Sequence, residues 1–413
     1  MQQATNAAAV AEEGANSTRP GYLAPPEPTV SEPERYLAAL WEATLGIRPI
    51  GRNDDFFALG GGSRDAAAIF AHIASERGLT LPLALLVTHP TIAQLAPSLA
   101  APEAAREAEA DILVPIRKNG RHSPFFVVHG FGGEVLSARA LADPLSADIP
   151  LYGIRARERA VGKFTLDRGV AQIAADYVAH IRRLQPHGPY YFGGYCAGGI
   201  IAFEMATQLR RMGERVGLLM MIDASFLYAM SPSRRIAHRI RHHLDMLRRD
   251  GVAGIKRSFE RWKRRRATRR MIDERRAAAG LTIEEGAARA KAERREAIGM
   301  DHSYMPHQYR EQFYALLERY RPPVYHGDVL MVNTPGIIDL TGDRTLGWGW
   351  RIKGRLRVEI VDVHHNYILR SPATDRIAAL VHEAYGIAAG RHPEAATASG
   401  AGATAAMPAA PAG

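Results

Sequence analysis

The sequence holds one cysteine, Cys196, in the run Gly193-Gly194-Tyr195-Cys196-Ala197-Gly198-Gly199. This run follows the apolar stretch Tyr190-Tyr191-Phe192 and opens a helix-forming one, so the cysteine falls on a tight strand-to-helix turn. Small residues around such a turn let a nucleophile project from strained backbone. A thiol ordinarily ionises near pH ~8.5, and a nearby imidazole lowers that further, so sulfur here needs little activation. In another setting a lone cysteine would be a small buried hydrophobe. Asp223 ends the apolar run Leu218–Ile222, where a carboxylate can orient an imidazole, although aspartate at such a place also caps helices. The run Val361-Asp362-Val363-His364-His365-Asn366 supplies the histidine, with His365 favoured over its neighbour His364. Earlier, His129-Gly130-Phe131-Gly132-Gly133 can aim the Phe131 N–H at a developing oxyanion, with the Ala197 N–H as second donor. A separate run, Asp54-Asp55-Phe56-Phe57-Ala58-Leu59-Gly60-Gly61-Gly62-Ser63, places a serine hydroxyl at a helix start. Such a serine is by itself a helix cap, but a helix N-terminus also favours a phosphate.

Short apolar runs alternate with amphipathic ones through residues 112–390. The pattern predicts strands at 124–129, 150–154, 190–194, 215–222, 328–333 and 356–361. It predicts helices at 133–146, 168–184, 198–212 and 372–386. That alternation implies a mostly parallel sheet with helices on both faces. Nucleophile, acid and histidine follow the chain order of the α/β-hydrolase fold. Residues 32–99 read instead as a small four-helix bundle, with helices at about 33–45, from Ser63, at 83–87 and from a Thr91 cap. Residues 1–31 and 391–413, poor in large apolar groups, are expected to be disordered tails, and 100–111 to be an Ala/Glu/Pro linker.

The 413 residues are 46% apolar and 23% charged, enough for more than one core. One cysteine excludes an intrachain disulfide and a cysteine-based metal site, and no metal is expected. No apolar run reaches the ~18 residues of a membrane span, and the N-terminus lacks a secretory signal, so the reading is a cytoplasmic chain without membrane contact. The net charge of +10 is local. Residues 231–296 hold 21 Lys and Arg against 9 Asp and Glu, which leaves the remainder at −2. Apolar stripes such as Ile236, Ile240, Leu244 and Leu247 suit helices packed on a body with arginine outward. A basic face of this kind could also dock an anionic carrier, and residues 32–99 hold 7 acids against 5 bases. Nucleic acid is not expected, because no recognised module accompanies the basic run.

Residues 32–99 resemble an acyl or peptidyl carrier domain, matching its D-x-F-F-x-L-G-G-x-S core. The resemblance implies that Ser63 carries a 4′-phosphopantetheine arm, installed by a phosphopantetheinyl transferase. Arg64 departs from the usual leucine at a position that faces partner enzymes. Residues 112–226 and 318–385 resemble the type I thioesterase domains of nonribosomal peptide and polyketide assembly lines, including Arg319-Tyr320-Arg321-Pro322-Pro323 and Gly347-Trp348. In that family the late motif is G-x-H-x-x-[ML]; here Val363 replaces the glycine, His365 takes the histidine position and Ile368 the last one. The resemblance implies an α/β hydrolase with a basic helical lid at about 226–303, a carrier bundle before it, and a triad of Cys196, Asp223 and His365. It implies release of an acyl or peptidyl chain, by hydrolysis or by cyclisation to a strained lactone or lactam. The chain would arrive in trans from an upstream synthase or carrier protein. Two rival readings are an editing thioesterase that clears stalled acyl groups and a non-catalytic carrier scaffold.

Overall fold

Strand residues Phe125 to Val128 are all buried, yet they serve two cores. Phe126 and Val128 face one apolar cluster and Phe125 and Val127 the other, as the two-residue period of a strand requires. The same split runs through Leu219 and Met221 against Leu218 and Met220, and through Met331 against Leu330 and Val332. A sheet covered on both faces explains why its strands read as unbroken apolar runs.

The computed structural model describes residues 17–18, 23–101, 111–156, 169–225, 240 and 307–387. Its N-terminal block contains β1 (Ser17–Thr18), α1 (Glu32–Leu45), β2 (Ile47–Arg48), α2 (Ser63–Arg77), α3 (Leu85–Thr88) and α4 (Ile92–Ala100). Ser31 caps α1 by accepting from the Glu34 N–H, and Gly46 ends it at φ +68°. Thr91 and Gln94 form the reciprocal cap of α4. Trp41 and Phe56 meet edge to face in the core, at 5.0 Å between centroids. The segment 23–31, expected as part of a tail, lies against this block. Glu27 accepts from the Asn53 side chain and its carbonyl from the Arg52 N–H, while Leu23 packs on the core.

The C-terminal block begins with β3 (Leu113–Arg117), β4 (Phe125–Val128) and a 3-10 turn at Leu136–Leu141. β5 (Leu151–Ile154), α5 (Val170–Leu184), β6 (Tyr190–Tyr195), α6 (Ala197–Arg211) and β7 (Val216–Ile222) follow. The chain closes with α7 (His307–Arg319), β8 (Val329–Asn333), α8 (Pro335–Thr341), β9 (Leu356–Ile360), a 3-10 turn at His365–Tyr367 and α9 (Ala373–Tyr385). The seven strands lie in the order β3-β5-β4-β6-β7-β8-β9, all parallel except the antiparallel edge pair β3–β5. α5 and α6 supply the core on one face; α9 and the 136–141 turn supply it on the other. This is a mostly parallel α/β hydrolase sheet, joined to the N-terminal bundle.

Four elements depart from the sequence reading. Residues 133–146 make only the short 3-10 turn, because Gly133 sits at φ +75° and Pro144 disfavours helix before it. β3 was not expected; its Pro115 lies where the register shifts on an edge strand, a place that tolerates proline. α7 and α8 were also not anticipated. The expected basic lid (226–303) except residue 240, most of the linker and most of both tails lie outside the described residues.

Candidate active site

Parallel pairing brings the site together. Register partners Val128 and Gly194, then Tyr195 and Ile222, then Ile222 and Val332, align the C-terminal ends of β4, β6, β7 and β8. Just beyond those ends come His129, Cys196, Asp223 and Thr334. Ligand sites of open α/β sheets form at this edge.

Cys196 joins β6 to α6 at φ +55° and ψ −120°, a conformation rare outside glycine. Close packing enforces it. A Cβ on Gly194 would lie 2.2 Å from the Gly198 carbonyl carbon, and one on Gly198 would lie 2.1 Å from the His129 carbonyl oxygen. These contacts press the first turn of α6 against the end of β4, so the loop starting at His129 borders Cys196. The Cys196 N–H donates to the Ile222 carbonyl, tying the turn to β7. Cys196 is itself 7% exposed.

Asp223 also has positive φ, +47°, and is buried. Thr334 holds its carboxylate twice: the backbone N–H donates to Oδ1 at 2.7 Å and the hydroxyl to Oδ2 at 2.8 Å. His365 Nδ1 lies 2.8 Å from Oδ2, and His365 is 3% exposed. A carboxylate accepts, so Nδ1 carries the proton. The other ring nitrogen remains for Cys196, whose side chain favours the protonated imidazole. Burial disfavours an imidazolium, but the hydrogen bond to Asp223 and the interaction with the Cys196 side chain outweigh it and push His365 up to about 9. His364 instead caps the 365–367 turn from outside, accepting from the Asn366 N–H.

Ala197 opens α6, so its N–H is one of the amides a helix leaves without an internal partner. Phe131 lies in the loop after β4 with its ring packed on Phe313 and Tyr314, at 4.7 and 4.9 Å. His129 anchors that loop. Its Nδ1 lies 2.6 Å from the Gly130 carbonyl and Nε2 lies 2.7 Å from the Tyr177 hydroxyl. A carbonyl can only accept, so Nδ1 donates to Gly130, and Nε2 shares the second hydrogen bond with the Tyr177 hydroxyl.

Thr334 and Tyr195 escaped the sequence reading. Tyr195 stacks on the His365 ring at 4.8 Å, and its hydroxyl donates to the His365 carbonyl at 3.2 Å. The only signal for Thr334 was an Asn-Thr-Pro run after an apolar strand, which marks a helix start rather than a carboxylate clamp. Trp348 adds support by donating its indole N–H to the Ala224 carbonyl, next to Asp223.

Residues 123–385 match the family model of the thioesterase domain. The chain belongs to the thioesterase domain family. A second model, the phosphopantetheine attachment site, matches residues 35–97. Malpinin synthetase of Mortierella alpina is 39% identical over 200 residues, 48% of this chain and 3% of its own. A dimodular nonribosomal peptide synthase of Bacillus subtilis (strain 168) is 36% identical over 192 residues, 46% of this chain and 8% of its own. The thioesterase chain thus spans less than a tenth of either relative. A solved four-domain nonribosomal peptide synthetase bound to AMP and glycine aligns over 90% of this chain and 27% of its own, at 22% identity and a TM-score of 0.46.

The second match makes the N-terminal block a carrier domain that bears 4′-phosphopantetheine covalently. The start of α2 fits that group. Ser63 is its first residue, and Gly62 before it is an extended N-cap without a side chain. A Cβ on Gly62 would lie 2.9 Å from Arg370 Nη2, so glycine keeps that space open. Among the described residues no group of His, Cys, Asp and Glu is arranged to hold a metal, and no helix is long and apolar enough to cross a membrane.

Proposed function

We propose that this carrier–thioesterase chain releases an acyl or peptidyl product through a covalent thioester on Cys196. The observation that supports the reading is the hydrogen-bonded series Thr334–Asp223–His365, buried at the C-terminal edge of the sheet, with Cys196 on the adjoining strand-to-helix turn. Ser63 is the proposed attachment point for the arm, whose chemistry when bound is to present the acyl group as a thioester. A separate phosphopantetheinyl transferase installs it, and an upstream synthase or carrier supplies the acyl group.

The Cys196 thiolate attacks the acyl carbonyl. The Phe131 and Ala197 amides take the charge that develops on the carbonyl oxygen. As the intermediate collapses, the old carbon–sulfur bond breaks and the His365 imidazolium protonates the departing thiolate. Neutral His365 then accepts a proton from the second nucleophile, which is water or a hydroxyl or amine within the acyl chain. That nucleophile attacks the Cys196 thioester, and the cysteine leaves as thiolate beside a renewed imidazolium. Asp223 holds the ring orientation throughout.

Sulfur matters to the outcome. Exchange of one thioester for another is nearly isoenergetic, so the acyl-enzyme keeps its free energy and can drive formation of a strained lactone or lactam. An oxoester on serine would surrender it. Intact-protein mass spectrometry of the chain loaded by its native pathway should find acyl adducts on both Ser63 and Cys196. Cys196→Ala should lose the second adduct and slow release by about a thousandfold or more. Equal release by that variant would leave only the carrier function. With Cys196→Ser the product should shift towards hydrolysis; an unchanged product distribution would show that sulfur does not direct the outcome.

A further inference from the structure

The carrier is seated on the thioesterase in a defined way. Val114, Val135 and Leu136 of the thioesterase belong to the same apolar cluster as Leu86 and Val87 of the carrier. Arg139 Nη2 pairs with Asp55 Oδ2 at 3.3 Å, with both side chains largely buried. In this arrangement the residue before Ser63 touches the segment that carries His365. Arg370 Nη2 lies against Gly62, and the Arg370 N–H donates to the Tyr367 carbonyl at 2.9 Å. Among the described residues no carboxylate pairs with the Arg370 guanidinium, whose closest aromatic neighbour is Tyr367 at 5.3 Å.

A phosphodiester on Ser63 would place a negative charge beside Asp65, whose carboxylate accepts from the Gly62 N–H at 2.8 Å. Two anions at one helix start repel unless a cation stands near. The guanidinium fork suits phosphate oxygens, and Arg370 brings one to this point from the thioesterase side. We infer that Arg370 is the thioesterase's counter-ion for the phosphodiester of the arm, so that seating the modified carrier steadies the segment bearing His365. The inference rests on Ser63 being the attachment site.

Hydrogen exchange on the full chain tests it without recourse to turnover. The amides of residues 366–370 should exchange roughly threefold more slowly in the phosphopantetheinylated chain than in the unmodified one, the size expected of an exposed ion pair. Arg370→Gln should erase the difference, and Arg370→Lys should keep part of it, because a point charge replaces the fork. The protection should also fade at high salt. Equal exchange in the modified and unmodified chains, or protection that survives Arg370→Gln, would overturn the inference. Mass spectrometry of Ser63→Ala separates the two levels: an arm still gained by that variant refutes the attachment site itself, whereas loss of the arm leaves the exchange result to judge Arg370 alone.

Discussion

Ser63 and Cys196 both stand at the start of a fifteen-residue helix after a glycine-rich run, yet the two starts are built differently. Gly62 before Ser63 is ordinary extended backbone, at φ −122°. Cys196 is itself the junction residue and is held at φ +55°. Around Gly62 the nearest obstacle is the tip of a long arginine, whereas around Gly194 and Gly198 it is main chain. A residue that another enzyme must reach and modify suits a relaxed helix start, while one that reacts in place is fixed by backbone that cannot yield. Positive-φ backbone therefore marks the proposed site of chemistry, whereas the N-cap before the proposed site of attachment is relaxed.

The largest break in that comparison comes from paired glycine substitutions. Gly198→Ala puts a methyl group within 2.1 Å of the His129 carbonyl oxygen, so β4 and α6 must separate. It should destabilise the thioesterase by about 3 kcal/mol or more, read as a lowered Tm, and abolish acylation. Gly62→Ala should change stability by less than about 1 kcal/mol, since the backbone there suits alanine and an arginine tip can move. Equal effects at both positions would remove the distinction drawn between the two starts.

Acid–base behaviour offers the next test. With His365 raised to about 9, the imidazolium persists through neutral pH. The rate of acylation should therefore hold across pH 7–8 and fall as pH rises through about 9, where the general acid is lost. Cys196→Ser replaces an ionisable thiol beside the histidine by a neutral hydroxyl, so its value drops, and a hydroxyl nucleophile needs the neutral ring as base. Its rate should climb with pH over the range where the parent is flat. The same shift has a stability sign: the folded chain keeps a proton that the unfolded chain releases. That contribution is complete below the ordinary value of 6.5 and is lost as pH rises through about 9. Parallel pH profiles for the two proteins would break the assignment of a thiolate–imidazolium pair.

Thr334→Val sharpens the picture on the acid's side. It removes the hydroxyl donor to Asp223 Oδ2 but keeps the backbone donor to Oδ1. The buried carboxylate loses one partner, which should cost about 1–3 kcal/mol of stability by denaturant titration. It should also lower kcat more than it raises KM, because the orientation of His365 is disturbed rather than substrate binding.

The elbow was legible because its signal is local: glycines, a cysteine and glycines again within seven residues. Asp223 was legible as the end of an apolar run. The choice between His364 and His365 rested on order and alignment alone; in the fold it depends on the direction of a three-residue turn, which sends His365 inward and leaves His364 as a cap. The support of the site was hidden, since Thr334 and Asp223 are 111 residues apart and Tyr195 and His365 are 170 apart. Such contacts arise from strand order, which alternation predicts only as a class. β3 was hidden for the opposite reason, because Pro115 masks a strand that the edge position tolerates.

Tyr195 carries the smallest expected effect and tests whether the junction at Cys196 also steadies the histidine. Its ring stacks on the imidazole, which favours a cation over an aromatic face, while its hydroxyl holds the carbonyl of the same residue. Tyr195→Phe keeps the ring and loses one hydrogen bond at 3.2 Å, so stability should fall by about 0.5–1 kcal/mol and the pH profile should stay in place. Tyr195→Leu keeps bulk but loses the aromatic face, so the alkaline limb should move below about 9 as the imidazolium loses support. An unmoved limb in the leucine variant would confine Tyr195 to packing. The charge of His365 would then rest on Asp223 and Cys196 alone, and the residue beside the nucleophile would matter only for the shape of the turn.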